Sequence, residues 1–168
     1  EAGPPDRNPM IHMPFGLAAL AQMRWLNWGY RTAPEPQLQN RRLYWPRGRV
    51  LGGSSSINAM IYMRGHPQDY RDWAIAAGPD WDWPRVRQVF LDLEDNQALT
   101  DDHHGQGGPL AVSNLAQPNP LSRAFVQAGA ECGYAVNPDF NGADQTGVGL
   151  YQVTQKHGQR FSAAKAFL

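Results

Sequence analysis

The sequence is poor in cysteine, in long apolar runs and in net charge, and each shortage excludes a class of protein. With one cysteine among 168 residues, an internal disulfide cannot form. Fifteen basic residues balance fifteen acidic ones, so the chain lacks the positive field that attracts nucleic acid. The most apolar early stretch, 14–23, is shorter than the roughly 20 residues of a transmembrane helix. We therefore expect no nucleic-acid partner and no transmembrane segment.

The one cysteine, Cys132, also bears on location. A single free thiol fits a reducing compartment, so we expect a cytoplasmic protein, with or without membrane association. Cys132 follows an apolar helical face, and free cysteines usually behave as small buried hydrophobes. We expect it to be packed rather than reactive.

Glycine and proline contribute 17 and 14 residues, which predicts many turns between short elements. Hydrophobic spacing, proline positions and capping residues predict helices over 15–25, 67–77, 84–95 and 120–132, strands over 42–45, 107–115 and 147–155, and an extended arm over 31–39. Two helices carry apolar stripes that we expect to be buried, formed by Val86, Val89, Phe90 and Leu93 and by Leu121, Ala124, Phe125, Ala128 and Cys132. The predicted class is α/β, in the sense of a mixed α+β fold.

The stretch "RGRVLGGSSSINAMIYMRGH", 47–66, concentrates small residues between a basic run and an apolar run. Gly52 and Gly53 allow close approach of the backbone to a ligand. The serines that follow lie at what the sequence predicts to be a helix N-terminus, where amides and hydroxyls favour a pyrophosphate. The competing interpretation is a flexible turn with a serine cap. The apolar residues 57–63 favour the ligand loop, because a surface linker is normally flanked by polar sequence.

The longer string "PRGRVLGGSSSINAMIYMRGHPQDYRDW" resembles the first signature region of the glucose-methanol-choline (GMC) oxidoreductases. "EAG" at 1–3 resembles the end of the second strand of that family's Rossmann-like sheet, and similar sequence occurs at 80–83 and 139–168. Within the family, the choline-dehydrogenase-like alcohol dehydrogenases are most similar. The resemblance implies FAD-dependent oxidation of an alcohol CH–OH group, with hydride transfer to flavin N5.

The resemblance also implies an arrangement of domains. Residues 1–100 would form part of a Rossmann-like FAD-binding domain with a flavin-covering lid, and residues 101–168 the start of the substrate-side domain and the return to the FAD domain. The family's GxGxxG turn and its catalytic histidine block are not in this sequence, and both ends look cut. We therefore expect an internal fragment, inactive alone, with no catalytic residue of its own.

Cofactor-binding roles follow from the resemblance, position by position. Glu1 would accept hydrogen bonds from the adenosine ribose, as an acidic residue does in dinucleotide folds. The stretch expected to line the flavin and its phosphates comprises Arg49, Val50, Gly52, Gly53, Ser54, Asn58, Ala59, Met60 and Ile61. Ile57 occupies the place where some members carry a histidine that tethers FAD, so we expect non-covalent FAD. The implied partners are a small-molecule alcohol and an electron acceptor, quinone or oxygen.

Two other interpretations depend on histidine and tryptophan. His103 and His104 adjoin Asp101 and Asp102, but neighbouring residues rarely converge on one ion, so we expect a solvated loop and no metal. Tryptophan occurs at positions 25, 28, 45, 73, 81 and 83. We expect packing and lid roles for these rings, and the alternative is a non-catalytic, aromatic-rich module that binds carbohydrate.

Overall fold

The computed structural model describes all 168 residues and divides them into two compact units. The first unit contains residues 1–60 and 157–168, and the second contains the continuous stretch 61–156. The division therefore falls after Met60 and not near residue 100. The expected functional assignment of 1–100 and 101–168 concerns roles rather than compactness, and it stays a prediction.

Short helices and very short strands make up the secondary structure. The helices are α1 Pro9–His12, α2 Leu17–Gln22, α3 Pro67–Ala77, α4 Trp83–Leu93, α5 Pro120–Glu131 and α6 Ala163–Phe167. The strands are β1 Tyr30–Arg31, β2 Tyr44–Trp45, β3 Ile61–Tyr62, β4 Glu94–Asn96, β5 Leu110–Val112, β6 Gln152–Val153, β7 Gln155–Lys156 and β8 Gln159–Arg160. None of the helices combines the length and the apolar character that crossing a membrane requires.

The first unit is organised around a small apolar core. β1 and β2 pair antiparallel, with Tyr30 opposite Trp45. The helix predicted over 15–25 is divided, because 3₁₀ turns at 14–16 and 24–26 flank α2. Fully or almost fully buried aliphatic side chains fill the centre of the unit; they are Ile11, Leu20, Leu26, Val50 and Ile57.

The second unit contains the three longest helices, and their beginnings follow the predicted capping signals. Asp82 accepts a hydrogen bond from the Trp83 amide at the start of α4. His66 forms a reciprocal capping box with Asp69 at the start of α3. β3 pairs antiparallel with β6, and β4 pairs parallel with β5. The strand predicted over 107–115 is confirmed in its central residues, Leu110–Val112, and the strand predicted over 147–155 only toward its end, at Gln152–Val153 and Gln155.

The burial predicted for the α5 stripe is wrong, and the burial predicted for the α4 stripe holds only in part, since Val86, Phe90 and Leu93 are half-buried. In α4, Val89 is 55% exposed and no residue of the helix is buried. In α5, Leu121 and Phe125 are 79% and 73% exposed. In α5 the packed face lies at the edge of the predicted stripe, where Gly129, one turn after Phe125, lies directly against the side chain of Val148. Cys132 is exposed as well, so the prediction of a packed thiol is also wrong.

Candidate functional site

The glycine–serine loop, residues 52–58, forms a single 3₁₀ turn over Gly53–Ser56 and not the start of a longer helix. The prediction of a helix N-terminus at the serines is therefore wrong. Gly52 and Gly53 have φ angles of 87° and 56°, in the left-handed region that residues with a Cβ rarely adopt. These two glycines form the entry to the turn, and the turn ends at Ile57, whose φ of −129° is not helical.

The three serine hydroxyls bond within the protein instead of presenting themselves to a ligand. Ser54 Oγ accepts a hydrogen bond from the Gly48 amide at 3.1 Å, and Ser56 Oγ donates to the Leu51 carbonyl at 2.8 Å. Ser55 Oγ donates to the Gly52 carbonyl and accepts from the Ala163 amide. The hydroxyls therefore help to fix the shape of the loop, and only Ser54 among the three serines is exposed.

The two glycines of the loop face different surroundings. A Cβ on Gly52 would lie 3.1 Å from the Cβ of Ala164 and 2.5 Å from Ser56 Oγ, so this glycine is packed. A Cβ on Gly53 would meet no atom within 4 Å. The loop thus has one side against the protein and one open side at Gly53, where a ligand can approach the main chain.

The N-terminal segment lies beside this loop. Gly3 packs directly on the backbone of Arg49 and Val50, and the Leu51 amide donates to the Pro4 carbonyl at 2.9 Å. Glu1 is exposed, and its carboxylate accepts a hydrogen bond from the Gly3 amide at 2.7 Å. The structure therefore brings the acidic residue expected at the ribose into the same unit as the loop expected at the phosphates.

The other residues predicted to bind the cofactor have varied surroundings. Val50 and Met60 are buried, whereas Asn58 and Ala59 are exposed. Arg49 is exposed, and its guanidinium carbon lies 5.4 Å from the centre of the Trp28 ring. These five residues belong to the first unit, while the half-exposed Ile61 begins the second unit. The predicted residues are thus close in sequence but divided between two units.

Met60 has a positive φ of 63°, which is uncommon for a residue with a side chain. An Asx turn supports this conformation, because the Asn58 side-chain oxygen accepts a hydrogen bond from the Met60 amide at 2.9 Å. Arg160 donates to the same oxygen at 2.8 Å. Sequence reasoning did not single out Arg160, because nothing near it in sequence shows that it reaches a loop about a hundred residues earlier.

A second polar centre lies in the second unit and was also missed. Glu94 and His104 are buried, so the prediction that His103 and His104 form a solvated loop is wrong for His104. Arg64, also buried, pairs with the Glu94 carboxylate. His104 bonds through Nδ1 to Glu94 at 3.1 Å and through Nε2 to Asp139 at 2.9 Å. The sequence did contain a signal for a buried charge, because Arg64 comes directly after the apolar run 57–63.

The charges of this centre shift one another's titration. Burial alone would raise the pKa of Glu94, but hydrogen bonds from His104 and Asn96 and the charge of Arg64 outweigh it, so its pKa lies below the usual value. Burial alone would lower the pKa of His104, but hydrogen bonds to Glu94 and Asp139 and their charges raise it. The side chains of Arg64, Glu94, His104 and Asp139 therefore form a chain of alternating charge when His104 is protonated.

Asp101, His104 and Asp139 also place their ligand atoms within 4.8 Å of one another, a spacing that a metal ion could bridge. Both ring nitrogens of His104, however, already bond to carboxylates. The geometry assigns this group to the buried charge network and gives no reason to propose a metal there.

The tryptophans do not form one binding platform. In the second unit, Trp73 and Trp81 pack edge to face, and Trp83 stacks on Tyr70. In the first unit, Trp28 stacks with Tyr30. Four of the six rings therefore have aromatic neighbours, but all except Trp83 are exposed, and the expected packing and lid roles stay a prediction.

The fold is a mixed helix and strand one, built in its first unit around a glycine-rich loop with one open side. Residues 16–168 match the family model described as GMC oxidoreductase. The chain belongs to the GMC oxidoreductase family, as the resemblance in the sequence predicts.

Curated relatives match the chain from end to end. It is 57% identical to the alcohol dehydrogenase [acceptor] of Pseudomonas putida and 44% identical to the oxygen-dependent choline dehydrogenase of Rhizobium etli (strain CIAT 652). Both alignments cover 100% of this chain and 31% of the relative. The chain therefore spans about a third of the length of these relatives, and the comparisons give no support to a carbohydrate-binding module.

Solved structures show the same fold. Pyridoxine 4-oxidase from Mesorbium loti is 39% identical with a TM-score of 0.93, over 99% of this chain and 33% of that structure. An FAD-dependent oxidoreductase from Chaetomium thermophilum is 28% identical with a TM-score of 0.85, over 100% of this chain and 31% of that structure.

Proposed function

We propose that the chain is the FAD-binding part of a GMC oxidoreductase that oxidises the CH–OH group of a small alcohol. The observation that carries the proposal is the glycine–serine loop, which is rigidly bonded on one side and open at Gly53 on the other. Such an opening suits the close approach of a cofactor to the main chain. The names of the relatives, which include an alcohol dehydrogenase and an FAD-dependent oxidoreductase, support the same reaction class.

The residues present fit FAD. Glu1 is exposed and accepts a hydrogen bond from the Gly3 amide, and Gly3 packs on the backbone of Arg49 and Val50; Glu1 is proposed to bind the adenosine ribose. The backbone of the loop and its flanks is proposed to line the flavin and its phosphates, at Arg49, Val50, Gly52, Gly53, Ser54, Asn58, Ala59, Met60 and Ile61. When bound, FAD supplies the two-electron acceptor for the hydride of the alcohol. We assign no catalytic residue within these 168 positions.

We further propose that FAD is bound without a covalent link. Ile57, at the position where some family members carry the tethering histidine, is 4% exposed and belongs to the apolar core of the first unit. An aliphatic side chain has no nucleophilic atom, and this one faces buried neighbours. Residues 1–100 and 101–168 keep their proposed roles as the partial FAD domain with lid and the start of the substrate side.

The proposed partners are a small-molecule alcohol and an electron acceptor, either quinone or oxygen. The relatives are named for different alcohols and acceptors, so we propose no particular one of either. The proposed location is the cytoplasm, with or without membrane association. A free, exposed thiol at Cys132 supports a reducing compartment.

The test uses the full-length protein purified without added cofactor. Its visible spectrum should show flavin bands, and acid precipitation should move the colour into the supernatant. A coloured pellet would contradict non-covalent binding. A folded protein that takes up no added FAD would contradict the proposed function.

A pair of glycine variants then tests where the cofactor binds. Gly53→Ala should weaken FAD binding by about tenfold, the cost of roughly one hydrogen bond, because its methyl group occupies the open side of the loop. Gly133→Ala is the matched control, since Gly133 also has a positive φ, 89°, and open space. Equal FAD affinity in both variants would remove the loop from the proposed site.

A further inference from the structure

Arg160 is a fully buried cation with no acidic partner. Its side chain is inaccessible to solvent, and none of the ion pairs in the structure includes it. Its guanidinium donates only to neutral oxygens. Nε donates to the Ile11 carbonyl at 2.7 Å, and Nη1 donates to the Ser55 carbonyl and to two oxygens of Asn58. Nη2 is buried and has no hydrogen-bond partner.

Such an arrangement is costly unless something compensates the charge. Buried charges in proteins are normally paired, because removing an ion from water is unfavourable by several kcal/mol. Burial lowers the pKa of Arg160 to about 10, which still leaves the guanidinium protonated near neutral pH. The first unit therefore holds a positive charge and one unused donor group beneath the glycine–serine loop.

The surrounding contacts show what this charge holds in place. We call residues 160–164 the loop floor, because they contact the loop at three separate points. Arg160 bonds to the carbonyl oxygens of Ser55 and Asn58, the Ala163 amide donates to Ser55 Oγ at 2.9 Å, and Ala164 lies against Gly52. The open side of the loop, at Gly53, has no such contacts.

Arg160 also supports the strained part of the segment. It donates a hydrogen bond to Asn58 Oδ1. The same oxygen accepts a hydrogen bond from the Met60 amide, which helps to keep Met60 at positive φ. A lysine has one point charge and lacks the planar fork that reaches several oxygens at once. The planar fork of Arg160 therefore holds residues 55–60, which comprise the second half of the glycine–serine loop and the two residues after it.

We propose that Arg160 is a positioning residue of the cofactor site, which fixes the glycine–serine loop from its floor and has its charge compensated by the pyrophosphate of FAD. This inference rests on the proposed function. It explains both the rigid side of the loop and the missing counter-ion, whereas a purely structural arginine would be expected to pair with a carboxylate.

The experiment uses the full-length protein and compares Arg160→Met and Arg160→Lys with Lys165→Met. Lys165 is an exposed cation directly after the loop floor, so Lys165→Met removes a positive charge without removing a contact to the loop. Dissociation constants are measured for FAD, ADP and riboflavin, and melting temperatures are recorded with and without FAD. ADP carries the pyrophosphate, and riboflavin does not.

Arg160→Met should weaken FAD and ADP by about tenfold or more, because the support of the loop and the buried charge are both lost, and should weaken riboflavin, which lacks the pyrophosphate, by a clearly smaller factor. Arg160→Lys should restore part of the loss, and Lys165→Met should bind all three probes as the wild type does. The rise in melting temperature on adding FAD should shrink only in the Arg160 variants.

Two results would overturn the inference. One is an Arg160→Met protein that melts earlier but keeps its FAD affinity and its FAD-induced stabilisation, which would mean that a carboxylate elsewhere compensates the arginine. The other is an equal loss for riboflavin and ADP. A wild-type protein that binds no FAD would instead refute the proposed function.

Ser55→Ala keeps the test valid if Arg160→Met does not fold. This variant removes the hydrogen bond from the Ala163 amide to Ser55 Oγ but leaves the buried charge in place. Ser55→Ala should weaken the binding of FAD and of ADP together, by a smaller factor than the one expected for Arg160→Met. Unchanged affinity for both would overturn the role of the loop floor.

Discussion

The two units of the chain are stabilised by different kinds of interior. The first unit packs aliphatic side chains against one another and buries one unpaired guanidinium. The second unit buries a connected polar group made of Arg64, Glu94, Asn96, His104 and Gln152. An apolar core tolerates changes of chemistry that conserve volume, whereas a polar network depends on every partner being present. A substitution to methionine should therefore cost little stability in the apolar core of the first unit and much stability in the polar network of the second.

The largest expected effect is the loss of the Glu94 charge. Glu94→Gln leaves Arg64 without its buried counter-ion, so the free energy of opening the second unit should fall by about 3–5 kcal/mol. Amide hydrogen exchange of the full-length protein measures the opening free energy of each unit separately. The control is Asp80→Asn, which breaks the exposed pair between Asp80 and Arg85 and should cost less than about 1 kcal/mol. Similar losses in both variants would contradict the importance of burial.

A smaller effect is expected for a cavity in the first unit. Leu26 is fully buried, so Leu26→Ala should lower the opening free energy of that unit by about 2–5 kcal/mol, at or below the effect of Glu94→Gln. Leu26→Met conserves volume and should cost under about 1.5 kcal/mol, whereas Glu94→Met should be as damaging as Glu94→Gln. If Glu94→Met proved harmless, the contrast between the two interiors would fail.

The smallest effect is the pH dependence of the second unit. The pKa of His104 is raised when folded, so its contribution is complete below its ordinary value near 6.5 and is lost as pH rises through the folded pKa. The pKa of Glu94 is lowered, so its contribution is present above about 4.5 and is lost as pH falls through the folded pKa. Hydrogen exchange, corrected for intrinsic rates, should show greatest protection of this unit between these two limits.

A variant isolates the upper limb of that profile. His104→Gln removes the titrating ring, so protection of the second unit should no longer decline above pH 6.5. A decline of the same size in His104→Gln would show that another group titrates there.

Local signals in the sequence predicted the helices well. Proline at the first turn and a polar cap before it mark the beginnings of α3, α4 and α5, and these lie within a residue of the predicted positions. Gly133, with its positive φ, follows the end of α5, where glycine is commonly found. These signals act over a few residues, so no tertiary information is needed to interpret them.

Burial was predicted less well, because periodicity shows that a helix has an apolar face but not what covers it. Phe125 belongs to a clear stripe, yet α5 packs through Gly129 instead. The same limit applies to the strands, whose central residues depend on partners distant in sequence. His104 was misjudged because its partners, Glu94 and Asp139, lie 10 and 35 positions away.

At the candidate site, the glycine-rich turn at Gly52 and Gly53 follows from sequence, since it depends on a short motif. The internal use of the serine hydroxyls does not, because Gly48 and Ala163 supply donors from outside the motif. Arg160 contacts residues more than a hundred positions earlier, and no pattern along the chain records such a contact.

The distance along the chain between the loop and its floor has a consequence for biosynthesis. The glycine–serine loop leaves the ribosome before residues 61–156, and Arg160 follows only after that whole unit has been made. At about 5–20 residues per second, the loop waits roughly 5–20 seconds for its anchor. The proposed cofactor site thus acquires its final form late, after the second unit, residues 61–156, has been synthesised.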